Sequence, residues 1–236
     1  MKYVFALVFM AGAAHAQDGP STFGLPQGCD AFLTVQSKSC QVDHHFVCEA
    51  DPEGHQRRVG ITEEGLVYAG EIDRETQWLN SFHARTGHAE TLEPNPVERA
   101  SLSDLIAKGV DDYDFRTLSD QIGTTRYVGQ DTLTGRQIVI DGVTLDETTY
   151  DITAYDESGN EIWAAKGNEF IHRDWRIFLS GTGVTRVGTE SFDSDDGPVE
   201  FIFPGESGFL SARPKYGCGV AISQSDILKE NTHDNL

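Results

Sequence analysis

The feature of this sequence that most constrains its fold is a series of short runs in which apolar and polar residues alternate. The runs recur at intervals of roughly 8–12 residues. They are separated by turn-forming groups such as Glu63-Glu64-Gly65 and Asp141-Gly142. Such spacing leaves no room for the crossover helices that parallel strands require, so the pattern predicts antiparallel sheets.

The predicted strands form two sets, separated by a stretch with a different pattern. The first set is expected at residues 31–35, 40–49, 56–62, 66–72, 77–84 and 87–92. The second set is expected at residues 125–129, 137–140, 148–155, 161–165, 170–179 and 199–203.

One helix is predicted between the two sets, over about residues 96–108. Asn95 can cap its first turn, Pro96 suits the first helical position, and Gly109 can end it. Because this helix has a single apolar face, we expect it to pack on the concave side of a curved sheet. The predicted fold is therefore mainly β: a single antiparallel sheet, curved or half-barrel in shape, with one packed α-helix.

The N-terminus has the pattern of a secretory signal peptide. Lys2 precedes an apolar run, and Ala14 and Ala16 provide the small residues that a cleavage site requires. We expect residues 1–16 to be removed by cleavage between Ala16 and Gln17, which would place the exported protein in the periplasm or outside the cell. The apolar run is about a dozen residues long, too short to span a bilayer, so the protein is not expected to be membrane-spanning.

Four cysteines constrain the chain further: Cys29, Cys40, Cys48 and Cys218. An even number of cysteines in an exported chain favours two disulfides over a metal site. A strand over residues 40–48 would hold Cys40 and Cys48 roughly 26 Å apart, too far for a bond. Two pairings remain, Cys29–Cys48 with Cys40–Cys218, or Cys29–Cys40 with Cys48–Cys218. A hairpin near residue 38 would favour the first.

Either pairing ties the C-terminal segment to the first strands, which predicts one closed domain. We place this single β-rich domain at residues 29–222, after a flexible lead at 17–28 and before a polar tail at 223–236. The formal net charge of −20 repels phosphate backbones, so no nucleic-acid partner is expected. The acidic residues 193–196 lack the register of a calcium-binding loop and are interpreted as solvated.

The triplet His172-Arg173-Asp174 matches the start of the catalytic loop of protein kinases. That loop requires an Asn five residues after the Asp, where this chain has Leu179, and no Asp-Phe-Gly motif follows. We therefore interpret the triplet as part of a strand over residues 170–179. His172, Asp174 and Arg176 would then share one face of that strand.

The histidines do not have the spacing of a metal site, and no metal or other cofactor is expected. His44 and His45 are adjacent, so a strand directs them to opposite faces. His83 and His88 are five residues apart and would also face opposite ways on a continuous strand, although Gly87 interrupts it. No His-Glu-x-x-His motif occurs.

The absence of catalytic motifs predicts a binding protein that is not an enzyme. Its concave sheet would hold an apolar small molecule or lipid-like ligand, contacted by His172, Asp174, Arg176 and Trp163. The alternative is an envelope structural protein that docks another envelope protein through an exposed edge or apolar patch. A hydrolase is the third possibility and would require a cleft where carboxylates and a histidine converge.

The apolar-ligand hypothesis rests on the second strand set, which is rich in aromatic and branched residues: Tyr150, Ile152, Ile162, Trp163, Phe170, Trp175, Phe178, Phe201, Phe203 and Phe209.

Overall fold

The computed structural model describes residues 21–219, which form one antiparallel sheet of 13 strands and one short helix. The predicted signal peptide (1–16) and polar tail (223–236) lie outside the described residues. The first strands are β1 (Cys29–Ser37), β2 (Gln41–Cys48), β3 (Gln56–Thr62), β4 (Gly65–Ile72), β5 (Trp78–His83) and β6 (His88–Leu92). After helix α1 (Leu102–Lys108) come β7 (Val110–Ser119), β8 (Gly123–Ile140), β9 (Val143–Tyr155), β10 (Glu161–His172), β11 (Ile177–Val187), β12 (Glu190–Asp195) and β13 (Pro198–Ile202).

The sheet is a meander that returns to its starting strand. Strands β1 to β11 each pair with the next along the chain, because most are joined by short turns, and β13 pairs with β1. The sheet does not close, and β12 and β13 are its two edges. The predicted fold class, mainly β with one antiparallel sheet, is confirmed.

Strands β7 and β12 are absent from the sequence-based prediction, and β8 is one strand where two were expected. The predicted strand over residues 170–179 is wrong, because the chain reverses between His172 and Ile177. The four turn residues include neither Gly nor Pro, so the sequence carries no turn signal there. Arg176 adopts a positive φ of 52°, and its N–H donates to the His172 carbonyl at 2.9 Å.

Helix α1 begins at Leu102, so the predicted start at Asn95 and Pro96 is wrong. Ser101 is the N-cap, and its hydroxyl accepts a hydrogen bond from the backbone N–H three residues later. Glu98 is bridged to β7. The backbone before the helix is therefore held by a strand that the sequence pattern did not reveal.

The end of the helix and its position are as predicted. Gly109 ends it in the left-handed conformation, with φ 83°. Leu102 and Leu105 are buried against Ile171, with Phe178 packed beside them. Because Phe178 also lines the central cavity of the sheet, the helix packs on the concave side.

Two disulfides connect the ends of the domain to its first hairpin. Cys29 lies opposite Cys48 in the β1–β2 register, and the pair is bonded with a Cα–Cα distance of 3.9 Å. Cys40 is bonded to Cys218 across 178 residues. This is the pairing that the predicted hairpin favours, although Cys40 lies in the turn with φ 56° and not in a strand. Two disulfides indicate an oxidising, exported location.

The largest apolar cluster joins the two ends of the meander. Leu33 and Val35 of β1 and Phe201 of β13 pack with residues of later strands, namely Leu145, Phe170, Ile177 and Leu179. The lead also has partners, since the Phe23 ring stacks on His44 at 5.3 Å. Within residues 21–219, no helix has the length and apolar character needed to cross a membrane.

We expect the two disulfides to contribute unequally to stability. The Cys40–Cys218 bond closes a loop with a sequence separation of 178, against 19 for Cys29–Cys48. Loop-closure entropy then predicts that the double substitution Cys40→Ser/Cys218→Ser lowers the free energy of unfolding by about 2 kcal/mol more than Cys29→Ser/Cys48→Ser. Urea unfolding of both variants measures the difference. Equal losses would contradict this prediction.

Candidate ligand-binding cavity

The concave face of the sheet surrounds a cavity of about 610 Å³ that is open to solvent. Ten consecutive strands, β2 to β11, contribute residues to its wall, which requires the sheet to curve around it. Strand alternation directs every second side chain of each strand inward. The aromatic residues of the wall are Tyr68, Trp78, Tyr113, Phe115, Tyr127, Tyr150, Trp163 and Phe178.

Four of these rings form a continuous aromatic surface. Trp78 meets Phe115 and Tyr127 edge-on, with ring centroids 5.6 and 5.3 Å apart. Trp163 continues the surface, 6.1 Å from Tyr127. Phe115 and Tyr127 are buried in this surface, whereas Trp78 remains 41% exposed. An exposed aromatic ring on a cavity wall favours an apolar partner.

Charged residues occupy another part of the cavity wall. A guanidinium nitrogen of Arg58, on β3, lies 3.6 Å from a carboxylate oxygen of Asp43. The guanidinium carbon lies over the Tyr68 ring, 4.6 Å from its centroid. Burial raises the pKa of Asp43 above its usual value, although the positive charge of Arg58 opposes the shift. Arg58 thus has partners within the protein on both sides.

Two further carboxyl groups are strongly perturbed. Burial raises the pKa of Glu169 to about 7, with Arg58 opposing the rise. Burial, assisted by the negative charges of Glu169 and Asp111, raises the pKa of Asp131 to about 8. Asp131 is only 9% exposed, and no group in residues 21–219 donates a hydrogen bond to its carboxylate. The cavity thus offers an unsatisfied acceptor that a ligand can reach.

A third polar group lies on the β5–β6 hairpin. His83 is directly opposite His88 in the register, so both point to the same face, because the chain reverses between them. The strand does not continue through Gly87, so the opposite faces expected for a continuous strand do not apply. Both rings approach Glu90. Burial by itself would raise the pKa of Glu90, but the hydrogen bonds from His83, Thr117 and Tyr127 outweigh this effect and lower the pKa to about 2.

The predicted ligand-contacting residues are in two different places. Trp163 lines the cavity, whereas His172, Asp174 and Arg176 lie at the β10–β11 turn, outside the residues that line it. Arg176 forms an ion pair with Glu75 at 3.1 Å and donates to the Arg74 carbonyl at 2.6 Å. Its contacts hold this turn to the loop between β4 and β5.

The adjacent histidines follow the predicted alternation. His45 lines the cavity, and burial lowers its pKa to about 3. The His44 ring lies on the other face, hydrogen-bonded to the Thr34 hydroxyl at 3.0 Å.

Sequence reasoning did not identify the residues that give the cavity its chemistry, namely Arg58, Glu90, Asp131 and Glu169. A signal for Asp131 was nonetheless present in the sequence. On β8, Asp131 points to the same, inward face as Tyr127 and Gly129. An acidic residue thus occupies a position at which the alternating pattern predicts an apolar one.

The raised pKa of Asp131 predicts an effect of pH on stability. Between pH 4 and 8 the folded protein keeps a proton on this group that the unfolded chain has lost, so this group's contribution to stability falls as the pH rises. Asp131→Asn should therefore be more stable than the parent at pH 8, by roughly 1–3 kcal/mol, and equal to it below pH 4.

Urea unfolding at pH 4, 6 and 8 measures this dependence. The matched control is Asp120→Asn, which makes the same change at an exposed turn position. A constant difference between Asp131→Asn and the parent across these pH values would show that Asp131 is ionised in the folded state throughout.

No protein-family model, curated protein or solved structure matches this chain. Its function is therefore inferred from the chemistry of the cavity.

Proposed function

We propose that this protein is an exported binding protein, periplasmic or extracellular after signal-peptide cleavage, that holds a small apolar or lipid-like ligand in the cavity of its curved sheet. The observation that carries the proposal is the aromatic surface on the cavity wall, on which Trp78 is 41% exposed. A volume of about 610 Å³ lies within the range of small-molecule sites.

The apolar body of the ligand would lie against Trp78, Tyr127 and Trp163. These rings already contact one another, so their positions are set before a ligand enters. A preformed wall reduces the entropic cost of binding. Covering the free side of Trp78 would remove apolar area from water at roughly 25 cal/mol per Å².

The polar residues favour a ligand with one hydrogen-bond donor. Arg58 already faces Asp43 and Tyr68. Asp131 is buried without a donor among the described residues and opens on the cavity. Because Asp131 keeps its proton near pH 7, a hydroxyl or amide group, which can both donate to its carbonyl oxygen and accept from its O–H, would satisfy this carboxyl. We therefore expect an amphiphile with a donor at its polar end.

The edge strand β12 bears on the alternative, in which the protein docks another envelope protein. All six of its residues are exposed, and Phe192 is 53% exposed. The strand also carries Glu190, Asp193 and Asp195, and charges of this kind protect an edge from pairing with other strands. The edge thus gives less support to docking than the cavity gives to ligand binding.

Filling the cavity should weaken ligand binding. Ala165 lines the cavity, whereas its neighbour Ala164 points to the opposite face of β10. We expect Ala165→Phe to weaken binding of N-phenyl-1-naphthylamine, a neutral aromatic dye with one N–H donor, by about tenfold or more. The matched variant Ala164→Phe adds the same ring outside the cavity and should bind like the parent.

The increase in dye fluorescence during titration measures binding in the three proteins, and native mass spectrometry detects apolar molecules that co-purify. Equal dye affinity in the two alanine variants would place the dye outside the cavity. No dye uptake and no co-purifying molecule with the parent protein would rule out the small-ligand function.

A further inference from the structure

We propose that His83, His88 and Glu90 form a binding site for a divalent transition-metal ion such as Zn²⁺, on the wall of the cavity. The side-chain ligand atoms of the three residues all lie within 4.8 Å of one another. Two histidines and one carboxylate are a ligand set used by zinc and by other first-row transition metals.

The β5–β6 hairpin produces this arrangement. His83 and His88 are paired directly across the ladder, and directly opposed residues project on the same side. Glu90 is two residues beyond His88 on β6, so it projects to that side as well. The three ligands therefore come from eight consecutive positions, with the turn before His88 bringing them together.

The distances fit an ion placed between the three groups. His83 Nε2 lies 3.1 Å from Glu90 Oε2, and His88 Nε2 lies 3.7 Å from the same oxygen. A tetrahedral zinc ion with bonds near 2.1 Å holds its ligand atoms roughly 3.4 Å apart. The two observed distances lie on either side of that value. The two imidazoles are stacked, with centroids 4.6 Å apart and ring planes 17° apart, so binding of one ion by both requires one ring to rotate out of the stack.

Neighbouring side chains already orient two of the three ligands. The His88 Nδ1 is hydrogen-bonded to the Thr86 hydroxyl at 2.7 Å, which leaves its Nε2 directed to Glu90. The Glu90 Oε1 accepts hydrogen bonds from Thr117 at 2.6 Å and from Tyr127 at 3.1 Å. Its Oε2 is the atom that both imidazoles approach, and the one further hydrogen bond it receives from the described residues is the long one from the Ser81 hydroxyl at 3.5 Å. Outer hydrogen bonds of this kind are typical of metal sites.

The site is open on one side. His83 and Glu90 both line the cavity, and three protein ligands leave at least one coordination position of the metal unfilled. That position faces the space in which the proposed ligand would lie. The other grouping of potential ligand atoms in the described chain, Cys40, Glu63 and Cys218, is not comparable, because its two sulfurs are bonded to each other.

The test is metal titration of the untagged full chain after chelator treatment. We expect isothermal titration with ZnCl₂ to give one ion per chain. The Co²⁺ complex should show the intense visible absorption of a four-coordinate site. His83→Gln and His88→Gln should each weaken Zn²⁺ binding by about 100-fold. The control His55→Gln makes the same change at a histidine that contacts a single carboxylate, Glu71, and should bind like the parent.

Thermal melting of the metal-free variants accompanies the titration, since loss of binding is informative only in a folded protein. His83 is 38% exposed, so its replacement leaves the apolar clusters intact and keeps the test decisive even if His88→Gln is destabilised. Absence of binding up to about 100 µM Zn²⁺, or binding by His83→Gln equal to that of the parent, would overturn the proposal. Because the titration uses metal alone, its result is independent of the dye experiment.

Discussion

The hydrogen-bonded pairing of each strand with its neighbour in sequence is the constraint on which the rest of this structure depends. It pairs the backbone polar groups of 13 strands in one sheet, apart from the outer sides of the edge strands β12 and β13. Every second side chain of each strand then points to the concave side. The return of β13 to β1 places Phe201 opposite Val35, and the apolar cluster around them joins the first strands to β9, β10 and β11. Curvature follows, because the two ends of the meander pack against one another.

Curvature converts the inner face into a cavity wall with two kinds of surface. Aromatic rings cover one part, and Trp78 keeps a free side there. Charged groups occupy another part, including Asp131, which has no hydrogen-bond donor within residues 21–219. Burial of this carboxyl raises its pKa to about 8, and the group opens on the cavity, where the proposed ligand would reach it.

The small elements outside the sheet hold this cavity in place. Helix α1 buries Leu102 and Leu105 against the concave side, and Arg176 ties the β10–β11 turn to the loop after β4. The Cys40–Cys218 bond fastens the segment after β13 to the first hairpin. The triplet His172-Arg173-Asp174, which resembles a kinase motif in the sequence, lies at the β10–β11 turn. There the His172 ring is stacked on Trp175, with ring centroids 3.6 Å apart.

The sequence by itself determined the antiparallel class, most of the strands and the favoured disulfide pairing, because alternation, turn residues and cysteine spacing act over a few positions. It also showed Gly109 as the helix end. It did not reveal the reversal before Ile177, where no Gly or Pro marks the turn. Nor did it reveal that the helix starts at Leu102, because the preceding Glu98 is bridged to β7. The approach of His83 to His88 and the burial of Asp131 were decided only by the tertiary structure. The spacing of residues along one strand fixes which face each side chain points to. Residues from separate strands are brought together only by the register of a hairpin and by the curvature of the sheet.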